Sequence, residues 1–227
     1  MNDLKTFRQN WNNDQKRLRE LFSAGEELQE AKDLFYSQHA VLHTQEMSGS
    51  GSWSYADRIF QGISEVQFRL MPDQEEHSLI WILWHISRIE DLTMNILIIN
   101  DQQVYCQDEW KAKLNAPIHH TGNVISKADL RALNRQVDPE LLVRYWNAVG
   151  RQTRKIVRNL SWEQLNKKPT RECLDRIMSE RALLQEAKEI NEYWSRRKIF
   201  QLLLMPPTRH LMTHLNEAYN MRRALGL

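Results

Sequence analysis

The chain has 227 residues, and 31 Lys and Arg against 29 Asp and Glu leave a formal net charge of +2. That balance gives no basic surface for nucleic acid or for an acidic membrane, and the length suits one domain with a sizeable core. Seven glycines and six prolines, in a chain where average usage would be about 7% and 5%, speak against a turn-rich all-β protein. Two isolated cysteines, Cys106 and Cys173, form no CxxC motif and fit reduced thiols in the cytoplasm.

The opening MNDLKTFRQNW is charged and lacks the apolar run of a secretion signal. Residues 2–22 are rich in helix-favouring Lys, Arg, Glu and Gln. Residues 26–47 continue as a helix with Leu28, Ala31, Phe35 and Leu42 on one side. Together they read as an N-terminal helical arm, residues 1–47. His39 and His43 stand one turn apart on or beside that apolar side. Ser48-Gly49-Ser50-Gly51-Ser52 is the clearest break in the chain.

Ser54 is placed to cap a helix from Tyr55 to about Arg69, which Pro72 stops, and 73–77 is a connector. Residues 78–100, SLIWILWHISRIEDLTMNILIIN, read as a long core helix. At 100° per residue, Ser78, Trp81, Ile82, His85, Ile89, Leu92 and Ile96 share one side. One imidazole, His85, therefore lies in an apolar face. Arg88, Glu90 and Asp91 make this window a poor membrane span, since each charge costs about 2.5–3.5 kcal/mol at a bilayer centre.

Residues 101–125 are irregular, and a connection that long in one domain is often functional. Ser126 opens a short helix, 127–135. Asp138 followed by Pro139 is a strong start for the next, which runs to about Leu160 with Leu142, Tyr145, Trp146, Val149, Thr153, Ile156 and Val157 inward. Ser161 to Gln164 has the form of a capping box. Residues 171–204 hold one or two more helices. Pro206-Pro207 predicts an extended turn, and Thr208 a cap for the last helix, 209–225, with Gly226 closing it. No strand pattern or repeat emerges. The expectation is all-α: a four-helix bundle of 55–69, 78–100, 139–160 and 209–225, with extra N-terminal and inserted helices.

His210 and His214 stand at i and i+4, so their Cβ atoms lie about 5–6 Å apart on one face. Both rings can then reach one ion at about 2.0–2.1 Å, with His85 as the inward third donor. Three neutral nitrogens leave a position open, the pattern of a catalytic metal site. The competing expectation is three histidines that only pack. Glu217 continues the His210 and His214 face and either accepts a ligand ring N–H or pairs with an arginine of the bundle. Arg88, one turn from His85, either holds an anionic substrate group over the open position or lies solvated at the helix edge. His39 and His43 are rival donors. His119 and His120 point apart and read as surface residues, His77 as part of the entry to the central helix, Cys106 as inert, and Trp81 and Trp84 as core and pocket wall.

SLIWILWHISRIEDLTMN at 78–95, followed downstream by LMPPTRHLMTHLNEA at 204–218, resembles the DinB-like proteins, a superfamily of bacterial metal-binding four-helix bundles. The resemblance covers about residues 54–227. It implies a metal triad of His85, His210 and His214 holding zinc, nickel or another divalent ion, with water in the remaining positions. Some members use low-molecular-weight thiols as cosubstrates, so a small-molecule substrate and a thiol-dependent transferase are implied, with a hydrolase as runner-up. The alternative is a non-catalytic metal-binding or scaffold bundle, with a homodimer through spare apolar surface. Neither reading involves nucleic acid or membrane. The arm and the inserted stretches 101–135 and 171–204 depart from a minimal member and leave the substrate open.

Overall fold

The structure, a computed structural model, describes residues 2–51, 53–71 and 77–226. It is helical throughout, with no strand among the described residues. The N-terminal arm forms α1 (Asn2–Ala24), α2 (Leu28–Leu42) and the short α3 (Gln45–Ser48), which Thr44 caps through a bond from the Met47 N–H. The arm is packed into the molecule. Trp11, Leu18, Phe22, Phe35 and Leu42 are buried, and α2 packs on α1 and on helices of the bundle. Gly49 and Gly51 take positive φ after α3, so the expected break at this point is present.

The helix expected over 55–69 is two: α4 (Tyr55–Phe60), capped by Ser54, and α5 (Glu65–Arg69), opened by a Ser64–Gln67 capping box. Gly62, at φ +77°, turns the chain between them. A left-handed residue breaks the helical path, and a periodic apolar pattern runs straight across it. The expected stop at Pro72 and most of the connector lie outside the described residues.

The central helix α6 (Leu79–Leu92) starts where Ser78 accepts the Trp81 N–H and continues as a wide π turn, Thr93–Ile98. Every residue of α6 is buried, including Arg88, Glu90 and Asp91. It packs on α9 (Pro139–Asn159) and α14 (Leu211–Ala224), while α4 also packs on α14. These elements build the bundle. The inserted stretches fold as α7 (Trp110–Leu114), α8 (Lys127–Gln136), α11 (Arg171–Ser179), α12 (Lys188–Ser195) and α13 (Ile199–Leu203), with 3-10 turns at Val104–Cys106 and Gln185–Ala187, and the short α10 (Trp162–Asn166) follows α9. The Asp138 cap with Pro139, and the Ser161–Gln164 capping box, form as expected. Among the described residues no helix is long and apolar enough to cross a membrane.

Pro206-Pro207 does not extend the chain. It lies in a π turn, Met205–His210, that runs directly into α14. Two prolines in succession remove two backbone donors, which leaves carbonyls of the preceding turn to be satisfied from elsewhere. The Thr208 hydroxyl donates to the Leu203 carbonyl at 3.0 Å, and Gln15 of α1 donates to the Leu204 carbonyl at 2.9 Å. Thr208 therefore repairs the turn before it instead of capping the helix after it, and the arm supplies the other donor.

Candidate metal centre

His85 lies in the middle of α6. His210 ends the π turn and His214 follows one turn into α14. Packing α6 against this turn and helix brings the three rings together: centroids are 4.9 Å apart for His85 and His210, 4.8 Å for His85 and His214, and 4.6 Å for His210 and His214. Their ligand atoms all lie within 4.8 Å of one another.

The tautomers follow from the partners. A carbonyl only accepts, so the 2.8 Å contact from His85 Nδ1 to the Thr121 carbonyl puts the proton on Nδ1. His85 Nε2 is left with its lone pair, facing His210 Nε2 at 3.0 Å. His214 Nδ1–H donates to Glu217 Oε2 at 2.8 Å, which frees His214 Nε2 in the same way. His210 Nδ1 has no partner among the described residues.

The Thr121 bond is one of four. Trp81 Nε1 donates to the Gly122 carbonyl at 3.2 Å, Trp84 Nε1 to His120 at 2.9 Å, and Arg88 to His119 at 3.2 Å. Four consecutive carbonyls of the 101–125 stretch thus hang from four side chains of one helix. Gly122, at φ +84°, has no room for a side chain: a Cβ would lie 2.9 Å from Trp81 Nε1. Trp81 in turn stacks on His85, with centroids 4.7 Å apart and planes 6° apart, and on His77 at 3.6 Å.

Burial, and then the charge of His214, push the His85 pKa down to about 3. His210 also lies well below its ordinary value, from burial and its two histidine neighbours. Both rings are neutral near pH 7, as a metal ligand must be. Burial alone would raise Glu217, but the His214 hydrogen bond and the nearby His77 outweigh it and bring the carboxyl down to about 2. His77 stands 3.8 Å from Glu217 Oε1, too far for a direct hydrogen bond. The His214 and Glu217 side chains are 17% and 30% exposed, so the cluster meets solvent on the α14 side.

Of the two expectations for Glu217, acceptance from His214 is the one realised. Neither expectation for Arg88 matches its place. It is 1% exposed, and its guanidinium bonds Asp91, Tyr145, Gln103 and the His119 carbonyl. Those donors are committed within the protein, so Arg88 does not reach toward the histidines for a substrate. His120 is buried and accepts the Gly122 N–H, while His119 bonds the Tyr105 hydroxyl. His119 is exposed, as expected, whereas His120 is not, and both belong to the strip whose carbonyls accept from α6. The signal was two tryptophans on a buried helix, whose N–H groups need acceptors. Cys106 is exposed on a polar cleft that Arg88, Lys111, His119 and Arg176 also line.

His39 and His43 meet Glu90 of α6 in a second cluster whose ligand atoms also lie within 4.8 Å. Burial lowers His39 to about 4, with the His43 charge adding to it. Glu90 stays ionised: burial opposes its charge, but His43 and His39 outweigh burial.

A helical bundle in which a histidine of the central helix meets two from the start of the last helix defines a class of bundle able to hold a metal ion. The comparison with protein families is specific on this point. The DinB superfamily model matches residues 50–218, and the chain belongs to that superfamily. No curated protein matches the sequence.

Proposed function

We propose that the chain is a metal-dependent enzyme whose divalent ion, zinc or nickel as the family resemblance implies, is held by His85, His210 and His214. The observation that carries this reading is the tautomer set. Thr121 and Glu217 take the Nδ1 protons of His85 and His214, so two Nε2 lone pairs converge beside His210 Nε2. A divalent ion there supplies a Lewis acid that lowers the pKa of a bound water or thiol. The chain's own residues set its surroundings. The Thr121 carbonyl and Trp81 fix the plane of His85, and Arg88 acts as a positioning residue through the His119 carbonyl. A general base works best with a pKa near the operating pH. Glu217, held near 2, therefore serves as the anion that orients His214.

The substrate is a small molecule, and a low-molecular-weight thiol fits as cosubstrate, which makes a thiol-dependent transferase the first subclass and a hydrolase the second. Metal analysis of protein purified without added metal, alongside His210→Ala, tests the site. Loss of one ion per chain and of metal-dependent turnover of thiol conjugates is expected in the variant. An equal metal content in both proteins overturns the assignment. A non-catalytic metal-holding scaffold is favoured by one observation: a cleft of about 760 Å³ lies elsewhere, lined by Phe60, Phe68, Val143 and several carboxylates. Retention of metal without turnover of any thiol conjugate or ester supports that second reading.

A further inference from the structure

The second histidine cluster is built as closely as the first. His39, in the last turn of α2, places Nε2 2.9 Å from Glu90 Oε1, and His43, just past the helix end, places Nε2 3.0 Å from Glu90 Oε2. Ligand atoms bound to one ion at about 2.0–2.1 Å stand roughly 3 Å apart, so this spacing suits a shared cation as well as hydrogen bonds. All three side chains are fully buried.

The surroundings fix each donor. Phe35 stacks on His39 with centroids 5.5 Å apart, and Trp146 lies 4.3 Å from the His43 ring. Gly150 of α9 leaves His43 its space, since a Cβ there would come within 2.9 Å of His43 Cε1. The Thr153 hydroxyl donates to Glu90 Oε1 at 2.7 Å. A bonded second layer of this kind is how proteins orient metal-ligating carboxylates and rings.

Among the described residues Glu90 pairs with no lysine or arginine. Arg154, whose charge reaches His39, donates to the Tyr36 carbonyl instead. A carboxylate this deeply buried is costly unless a cation or hydrogen bonds compensate it.

We propose that His39, His43 and Glu90 hold a second divalent transition-metal ion that fastens the N-terminal helices to the bundle. Two imidazoles and a carboxylate are a donor set for zinc, iron or nickel. No face of the cluster is open to a substrate, so the ion is structural and enters as α2 docks. Two of the donors precede the family match, which begins at residue 50, so the site joins the chain's own addition to the shared bundle.

The test uses the full chain saturated with cobalt(II) alone, desalted, with metal counted per chain by mass spectrometry. Wild type is expected to hold two ions, and the His210→Ala/His214→Ala variant one. Adding Glu90→Gln to that variant removes the last ion. Brief treatment with a chelator takes one ion from wild type and leaves the other until denaturant opens the fold. A His210→Ala/His214→Ala variant that folds and holds no cobalt overturns the proposal, as does an unchanged count on adding Glu90→Gln. If the Glu90→Gln chain does not fold, His43→Gln replaces it, and the count in the double variant decides without either. One ion in wild type that survives in the double variant supports this site and overturns the first.

Discussion

The two histidine clusters share a spacing and differ in access. Each takes two rings one turn apart and adds a group from α6, His85 in one case and Glu90 in the other. The first cluster is edged by side chains 17% and 30% exposed, and its carboxylate lies at that edge. The second has its carboxylate at the centre and no exposure at all. The same HxxxH pattern therefore serves an open site or a closed one according to where the carboxylate falls. An anion at the rim is screened by water, while an anion in the middle has to be neutralised by what binds it.

The largest effect that can break this contrast is on stability. Glu90→Ala strips a buried acceptor from three donors and is expected to cost about 3–5 kcal/mol, whereas Glu217→Ala at the rim stays within about 1 kcal/mol. Urea unfolding measures both, and equal values would erase the distinction.

Acid is expected to act next, in protein stripped of metal. Burial keeps His39 and His85 neutral in the fold, to about 4 and about 3, against 6.5 when unfolded. The unfolded chain thus binds more protons below 6.5, and stability falls as the pH falls. It is intact above about 6.5 and declines by up to about 1.4 kcal/mol per pH unit for each ring, until each folded pKa is passed. Thermal melts across this window, with and without His39→Gln, separate the two contributions.

Gly150→Ala sharpens the comparison by crowding the closed cluster alone, since the new Cβ would also lie 2.8 Å from Met47 Cγ. Overpacking of this kind costs about 1–3 kcal/mol, and metal affinity at His85, His210 and His214 should not change. The smallest effect is at the rim. Glu217→Gln weakens the acceptor that orients His214, and metal affinity is expected to fall about 10–100-fold with the unfolding midpoint nearly fixed. Isothermal titration with zinc reads the first quantity and a melt the second.

Much of this architecture was legible in the residues. Asp138-Pro139, Ser161 with Gln164, and the inward row from Leu142 to Val157 are local signals, and local signals predict local structure. The meeting of His85 with His210 and His214 was readable because all three lie on apolar helix faces that had to be buried. Other features depended on partners far away in sequence. Pro206-Pro207 reads as a turn until Gln15, 189 residues from Leu204, supplies a donor. Arg88 looked free because Asp91, Gln103 and Tyr145 surround it only in the fold. Glu90 could not be joined to His39 and His43 from spacing, since they sit on separate helices. Three charges close together in an otherwise apolar helix were the available sign, because a helix buried on all sides has to pair each of them.

The hanging of the 119–122 strip from α6 has a consequence for how this chain can diverge. Its carbonyls, and not its side chains, accept from Trp81, Trp84, His85 and Arg88. Most side chains along the strip can therefore drift between descendants without disturbing the imidazole behind them, glycine at 122 excepted. The rim beside the centre can thus be retailored for new molecules while the centre stays as it is.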